Sequence, residues 1–286
     1  MTIKEIAQLA GVSSAAVSRY LNGGYVSEEK KEQIKKVIEE TGYQPSAQAR
    51  ILRTKRACLV GVVVPKINSE SISRVTAGIE QVLSRRGYQM LLASTDNQPE
   101  KEITYLKLFE NYPVDGIVLI ATVITGEHKK FLKESKVPVV VVGQYTKYAN
   151  CIYHDDYGAG KAMGKVAAAA AKDKGRIAYI GVTREDKAVG TAREEGFRAG
   201  LKSQGCELEE EYTRTSQFTM ESGYEAALDL LEKKQDIAVL SCATDTIAAG
   251  AIEAILACRR KKIPREIQDS GTRMEYALKG SSIKVT

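Results

Sequence analysis

The side chains with the clearest chemical meaning in this sequence are basic, and they are concentrated near its amino-terminal end. Residues 1–57 contain 10 Lys and Arg against 6 Asp and Glu, so this fifth of the chain carries 4 of the 6 net positive charges. A basic module joined to a nearly neutral body suits a polyanionic partner such as nucleic acid. The same count would also fit a lysine-rich surface that is merely solvated, so charge alone leaves both interpretations open.

Side chains suited to metal binding or nucleophilic catalysis are few and dispersed. The chain has two histidines, His128 and His154, and an odd number of cysteines without C-x-x-C spacing. Metal sites and catalytic triads need such groups in clusters, so we expect neither a metal site nor a catalytic residue. The cysteines are predicted to be small buried hydrophobes: Cys58, Cys151, Cys206, Cys242 and Cys258.

An enzyme of the dinucleotide-binding type is the alternative class. Gly158, Gly160 and Gly164 superficially match a G-x-G-x-x-x-G pattern. Such a pattern binds phosphates when it lies on the turn between a strand and a helix, whereas here it lies within a helical periodicity. We therefore predict a protein that is not an enzyme and uses no cofactor. An ultraviolet spectrum would reveal a bound nicotinamide or flavin.

Three predicted helices position the basic residues of the amino-terminal domain. Thr2 and Glu5 have the spacing of a capping box that begins a first helix, and Gly11 ends that helix. Ser13 can cap a second helix, and a third amphipathic helix covers about residues 27–41. Two short helices joined by a glycine turn and closed by a third are typical of a helix-turn-helix DNA-binding domain. A small helical bundle without DNA contacts would have the same spacing.

A short basic segment follows these helices. Pro45 interrupts the preceding structure, and Ser46 can cap a new helix that has almost no apolar face to bury. Helices of this length are marginal in water. We therefore predict a hinge helix that folds when it docks in a DNA minor groove.

From Cys58 onward, apolar β-branched runs alternate with amphipathic helical patterns. Such alternation predicts an α/β architecture with parallel sheets covered by helices on both faces, and a break near residues 150–156 divides it into two lobes. The predicted strands cover residues 59–65, 89–94, 116–121, 137–142, 177–182 and 238–242. The predicted helices cover residues 71–86, 99–111, 158–172, 190–203, 220–233 and 246–258.

The predicted sheets also locate a candidate small-molecule site. Ligands of open α/β sheets bind at the carboxyl ends of the strands, and here also between the lobes. Lys66 lies just past the first predicted strand, where a positive charge that faces a cleft favours an anionic group on the ligand. A solvated lysine is the alternative. The segments that this rule brings together are 66–71, 144–145, 155–157, 184–193 and 244–245.

Four motifs are long enough to compare with known families. Residues 2–22 read T-I-K-E-I-A-x-x-A-G-V-S-x-x-x-V-S-R-x-L-N, and residues 42–52 read G-Y-x-P-S-x-x-A-R-x-L. In the body, residues 192–197 read A-R-E-E-G-F and residues 242–251 read C-A-T-D-T-I-A-A-G-A. The amino-terminal motifs closely resemble the LacI/GalR family of bacterial repressors, and the body motifs resemble it more loosely. Within that family, the body is similar to that of trehalose- and sucrose-operon repressors.

The resemblance implies DNA-contacting roles for eight residues. Arg19 can donate to O6 and N7 of guanine, and Ala15 offers a methyl group to thymine. Neutral hydrogen-bond donors suit phosphate oxygens. Such contacts fix the position of the protein on the DNA without reading the base sequence. Leu52 would insert between base pairs, although a contact with the body of the protein is its alternative role. The implied base-reading residues are Ser14, Ala15 and Arg19, the phosphate-contacting residues are Thr2, Ser13, Asn22 and Tyr43, and the minor-groove wedge is Leu52.

In the body, the resemblance implies a sugar or purine effector between the lobes. Arg193 and the Thr244–Asp245 pair lie on the two matching motifs, and a lysine across the cleft makes a sugar phosphate the favoured ligand. A first-turn arginine and a capping aspartate are the structural alternatives for Arg193 and Asp245, and a neutral sugar is the alternative ligand. The predicted effector-binding residues are Lys66, Ser69, Ser71, Asp155, Arg193, Thr244 and Asp245.

Together these features predict a repressor of a carbohydrate-use operon that binds a pseudo-palindromic double-stranded DNA operator as a homodimer. We expect a helix-turn-helix domain at 1–44, a hinge at 45–57 and an effector-binding and dimerisation domain at 58–286. The sequence begins without a signal-peptide pattern, and it has no apolar run near the roughly 20 residues of a membrane span. A cytoplasmic protein without membrane contact is therefore expected. A periplasmic sugar-binding protein would share the body fold but would need a signal peptide and no helix-turn-helix.

The carboxyl end departs from the family pattern after Ile267. Residues 268–286 are expected to lack the final helix of the first lobe and the final strand of the second. Such a loss would affect lobe closure, the dimer surface and stability.

Overall fold

A computed structural model describes residues 1–43, 56–172 and 174–260, with side chains described as far as Cys258. The predicted hinge helix with Leu52, and the departure from the family pattern after Ile267, lie outside the described residues.

Three helices form the amino-terminal domain: α1 (Ile3–Leu9), α2 (Ser14–Leu21) and α3 (Glu28–Thr41). Each helix contributes one side chain that is completely buried in a common core, and burial of a side chain of this size contributes about 1.5–3 kcal/mol. These three side chains are Ile6, Val17 and Ile34.

The ends of the first two helices follow from side-chain capping. Glu5 N–H donates to Thr2 Oγ1 over 3.3 Å, and Thr2 N–H donates to Glu5 Oε2 over 2.8 Å, which completes the predicted capping box of α1. Gly11, with φ of 64°, makes the turn between α1 and α2 in a conformation that favours glycine. Ser13 caps α2, because its Oγ accepts from Ala16 N–H over 3.2 Å.

The first lobe is built on a five-stranded parallel sheet with strand order β2-β1-β3-β4-β5. Helices cover its faces, and the carboxyl ends of all five strands meet at one edge. Its elements are β1 (Leu59–Val64), α4 (Glu70–Arg85), β2 (Gln89–Ser94), α5 (Pro99–Asn111), β3 (Gly116–Ile120), α6 (Gly126–Glu134), β4 (Val139–Val142) and β5 (Asn150–Ile152).

The second lobe has a three-stranded parallel sheet with strand order β7-β6-β8. A single π-helical turn, Lys187–Ala192, leads directly into helix α8, and a short 3-10 helix, Glu210–Tyr212, precedes β7. The other elements are α7 (Asp156–Ala171), β6 (Arg176–Val182), α8 (Arg193–Lys202), β7 (Thr213–Ser216), α9 (Met220–Lys233), β8 (Ile237–Cys242) and α10 (Asp245–Arg260).

The predicted two-lobed α/β architecture is confirmed, but three elements were not anticipated. Strand β5 has only three residues, and β7 reads Thr-Arg-Thr-Ser, without an apolar pattern. Both are edge strands of their sheets, where one side needs no strand partner. Helix α6 has nine residues, six of them charged or histidine, so its apolar periodicity is too short to stand out.

The prediction of buried cysteines is correct for one residue and wrong for four. Cys258 is buried, because α10 directs it into the core of the second lobe. The other four lie at strand ends, in loops or on strand faces that are only partly covered: Cys58, Cys151, Cys206 and Cys242. In the described part of the chain, no helix is long and apolar enough to cross a bilayer.

Helices α7 and α8 approach so closely that their backbones touch. A Cβ atom on Gly160 would lie 2.0 Å from the carbonyl oxygen of Arg193, and one on Gly164 would lie 2.2 Å from that of Phe197. From the other side, a Cβ on Gly196 would lie 2.0 Å from the carbonyl oxygen of Tyr157. The G-x-G-x-x-x-G pattern therefore serves helix packing, which gives the dinucleotide-binding alternative no support.

Candidate nucleic-acid and ligand sites

Helix α2 presents one exposed face away from the core of the amino-terminal domain. Ser14, Ala15 and Arg19 are exposed on it, whereas Ala16 and Val17 are buried on the opposite face. The Arg19 guanidinium forms no hydrogen bond or ion pair with any residue that the structure describes. Its donors are therefore available for an external acceptor pair such as the edge of guanine.

Three of the four residues predicted to contact phosphate lie exposed at the ends of these helices. The hydroxyl oxygens of Thr2 and Ser13 accept helix-capping hydrogen bonds, so the hydroxyl hydrogens are left to donate outward. Asn22 follows α2, and its amide donates one hydrogen to the carbonyl of Ser18. Neutral donors in these positions have the chemistry that phosphate oxygens require.

Tyr43 differs from these three. It is only 9% exposed and packs in the core of the amino-terminal domain. A phosphate contact from Tyr43 is therefore limited to its hydroxyl group, while the ring stabilises the domain. The sequence pattern did not distinguish these two functions of one side chain.

The start of the body is tied to the first lobe by one carboxylate. Asp115, just before β3, accepts from the backbone N–H of Ala57 at 3.0 Å and from that of Cys58 at 2.7 Å. The chain that leaves the predicted hinge is therefore fixed to the centre of the first sheet.

Arg193 begins α8 and is held by second-lobe partners, and its effector contact stays a prediction. Its Nε donates to Asp156 Oδ1 at 3.0 Å, its Nη2 donates to the same oxygen, and its Nη1 donates to the carbonyl of Ala243. A guanidinium has five donors, so two remain for a ligand. The side chain is 27% exposed and Asp156 is 5% exposed, so this ion pair is largely desolvated.

The two aspartates at the start of α7 have different functions. Asp155 is exposed and caps the helix, because its Oδ1 accepts from Gly158 N–H at 2.8 Å. Asp156 is the residue that meets Arg193, and the sequence analysis did not single it out. Asp156 lies in the candidate segment 155–157, but the predicted effector-binding residue of that segment was Asp155. The effector contact of Asp155 stays a prediction.

Thr244 and Asp245 begin α10 close to this ion pair. Ile247 N–H donates to Thr244 Oγ1 over 3.4 Å, so Thr244 caps the helix. Asp245 is exposed, and partial burial raises the pKa of its carboxyl group. Arg193 opposes this rise in pKa, and the negative charge of Glu70 adds to it. Asp245 and Arg193 are thus neighbours in the second lobe.

Lys66 reaches across the cleft from the first lobe. Its Nζ donates to the carbonyl oxygen of Phe218, in the loop before α9, at 2.6 Å. Partial burial lowers the pKa of Lys66, while Glu221 raises it. Ser69 and Ser71 lie beside it, and their hydroxyl oxygens are 3.1 Å apart. The lysine therefore faces the cleft, but one of its three donors is used within the protein.

A second inter-lobe contact joins two residues from the candidate segments 144–145 and 184–193, neither of which was among the predicted effector-binding residues. Gln144 follows β4 in the first lobe, and its Nε2 donates to Asp186 Oδ1 in the second lobe at 2.8 Å. Asp186 is 2% exposed, and burial raises the pKa of its carboxyl group. No motif marked Asp186, because its importance depends on a partner 42 residues away in the chain.

Two family models match the chain. Residues 2–46 match the model described as bacterial regulatory proteins of the lacI family, and residues 57–275 match the model described as periplasmic binding proteins and sugar binding domain of the LacI family. The sucrose operon repressor of Staphylococcus xylosus is 35% identical over 246 residues, which cover 86% of this chain and 75% of that protein. Catabolite control protein A of Priestia megaterium is 30% identical over 256 residues, which cover 88% and 76% of the two chains.

Solved structures agree with these matches. A LacI-family transcriptional regulator from Silicibacter pomeroyi superposes with a TM-score of 0.71 at 26% identity, over 90% of this chain and 78% of that one. The lac repressor dimer bound to operator and an anti-inducer superposes with a TM-score of 0.76 at 19% identity, over 91% and 78%. At 19% identity, the likeness to the lac repressor shows a shared fold and nothing further.

Proposed function

This chain belongs to the LacI family of bacterial regulatory proteins, and from that premise we propose that it represses a carbohydrate-use operon. In this proposal, a homodimer binds a pseudo-palindromic DNA operator in the cytoplasm, and a sugar or sugar phosphate binds between the lobes. The observation that carries the proposal is the exposed α2 face together with Arg193, whose bonds to Asp156 and Ala243 leave two of its five donors for a ligand. The family is one of regulatory proteins, so the chain is a transcription regulator and not an enzyme.

Selection of DNA sequences by the purified protein tests the proposal. We expect two inverted half-sites, because one helix-turn-helix reads only a few base pairs and two-fold symmetry doubles the contact. The selection is repeated with sucrose, cellobiose and fructose 1-phosphate, which the names of similar proteins suggest, and with sucrose 6-phosphate, which tests the preference for a phosphorylated sugar. A single unrepeated half-site, or no enriched sequence, would contradict the proposal.

We expect Arg19→Ala to relax base preference at one position in each half-site and to cost roughly 1–3 kcal/mol there. The reason is that Arg19 is exposed on α2 with its donors unused by the described residues. Asn22→Ala is the matched control at the end of the same helix, and it should weaken all sequences about equally. Competition binding against single-base variants of the selected site measures both. If Asn22→Ala relaxed base preference and Arg19→Ala weakened all sequences equally, α2 would enter the groove in another orientation.

The ligand site favours an anionic sugar, because Lys66 brings a positive charge to the cleft wall opposite Arg193. The nearby carboxylates Glu70, Glu221 and Asp245 oppose such a ligand, and they favour the neutral-sugar alternative. The two ligands make different demands on Lys66, since a charge-assisted hydrogen bond contributes about 1.5–3 kcal/mol and a contact with a hydroxyl group contributes less.

We therefore expect Lys66→Ala to weaken binding of a sugar phosphate by about 10- to 100-fold, and to change binding of the free sugar little. Titration calorimetry with sucrose and sucrose 6-phosphate measures both affinities. Lys107→Ala, which removes an exposed lysine from α5, is the matched control and should change neither. If sucrose binds as tightly as its phosphate and Lys66→Ala affects neither, the ligand is a neutral sugar held from the Arg193 side.

A further inference from the structure

Gln144 connects the two lobes through a buried side-chain amide. Its Nε2 donates to the carbonyl of Thr122 at 2.7 Å within the first lobe and to Asp186 Oδ1 at 2.8 Å in the second lobe. Gln144 is 4% exposed and Asp186 is 2% exposed. Loss of either partner would leave a buried polar group unsatisfied, which costs about 1–3 kcal/mol. The described lobe arrangement is thus the one in which both donors of this amide are used.

Asp186 also organises the chain that carries Arg193. The same Oδ1 accepts from the backbone N–H groups of Ala188 at 3.0 Å and Val189 at 2.9 Å. The Asp186 carbonyl accepts from Thr191 N–H at 2.9 Å. These three bonds begin and brace the π-helical turn Lys187–Ala192, which runs without a break into Arg193. One oxygen atom is therefore shared by the inter-lobe contact and the turn before the ligand-binding arginine.

We propose that Asp186 is a positioning residue for Arg193, and that its hydrogen bond to Gln144 is a latch that couples lobe closure to the π-helical turn. Separation of the lobes breaks the bond and loosens the turn, and closure restores both. A ligand held by Arg193 and the first lobe then binds the latched arrangement more tightly, so that it shifts the population toward closure. This inference rests on the proposed function only in assigning Arg193 to the ligand.

The electrostatics of the site support this coupling. Burial raises the pKa of the Asp186 carboxyl group and the charge of Asp156 raises it further, whereas the Gln144 amide and the two backbone N–H groups lower it. Gln144 is the only first-lobe group among these. Opening of the lobes would therefore remove one of the hydrogen bonds that oppose this rise in pKa.

Hydrogen exchange of the ligand-free full chain tests the latch. We expect Gln144→Ala to speed amide exchange of residues 187–192 at least tenfold, although the Gln144 amide is linked to that turn through Asp186 alone among the described hydrogen bonds. Gln144→Met, which fills similar space without a donor, should have the same effect, so that a packing defect is separated from loss of the hydrogen bond. Asp186→Asn keeps a carbonyl oxygen for the same three donors, so its exchange at residues 187–192 should stay close to that of the wild type.

Two comparisons complete the test. Gln204→Ala removes an exposed glutamine at the end of α8 whose amide bonds only to Ser203, and exchange at 187–192 should not change. The double variant Gln144→Ala with Asp186→Ala should exchange no faster than Asp186→Ala alone, because both act through one bond. Additive effects, or exchange within twofold of wild type in Gln144→Met, would overturn the latch. Neither DNA nor sugar enters this experiment, so its failure leaves the proposed function untouched.

Discussion

Replacing Asp156 with alanine is expected to destabilise the body by about 3 kcal/mol and to abolish ligand binding at micromolar concentrations. The carboxylate is 5% exposed and accepts two hydrogen bonds from Arg193. Removing one partner of a buried ion pair leaves the other charge uncompensated, which costs about 3–5 kcal/mol. The lower end of this energy range applies, because the Arg193 side chain is 27% exposed to water. The freed guanidinium would also lose the orientation that its two hydrogen bonds to Asp156 give it.

The adjacent residue provides the control for this prediction. Asp155→Ala removes a carboxylate of the same type, but this one is exposed and caps α7 through Gly158. Loss of a helix cap costs about 0.5–2 kcal/mol, and the position of Arg193 should not change. Urea denaturation followed by circular dichroism measures stability, and titration calorimetry measures ligand affinity. Equal losses in the two variants would contradict the assignment of Asp156 as the partner that orients Arg193.

Gly196→Ala is expected to cause a loss of about 3 kcal/mol or more, although it adds only one methyl group. The new Cβ would lie 2.0 Å from the carbonyl oxygen of Tyr157, and that atom is backbone inside helix α7. Overpacking a core costs about 1–3 kcal/mol when side chains can move, whereas here two helices would have to separate. Because α7 begins at Asp156 and α8 begins at Arg193, their separation would also pull the ion pair apart.

Gly78→Ala tests the same chemical change where space is open. Gly78 lies within α4, and no atom lies within 4 Å of the position of its Cβ. Alanine in a helix interior is favoured over glycine by about 0.5–1 kcal/mol, so this variant should be slightly more stable than wild type. The midpoint of urea denaturation should therefore fall in Gly196→Ala and rise slightly in Gly78→Ala. If Gly196→Ala unfolds at the wild-type midpoint, helices α7 and α8 are not in backbone contact.

The sequence by itself determined the family, the two kinds of module and most of the elements. These features are local, because capping boxes, turn glycines and apolar periodicity act over a few residues. Thr2 with Glu5 and the alternation of strands with helices are examples. The motifs around Arg19 and Arg193 were also local, and they placed both arginines on the correct helices.

The tertiary structure decided which side chains meet. Asp156 and not Asp155 pairs with Arg193, because only one of two adjacent helix residues can point toward α8. The contacts of Lys66 with Phe218 and of Gln144 with Asp186 join groups 152 and 42 residues apart. No local pattern specifies such pairs, since they depend on how two separately folded sheets are set against each other. The glycines of α7 illustrate the same limit: their spacing was visible in the sequence, but its purpose was defined by the helix packed against them.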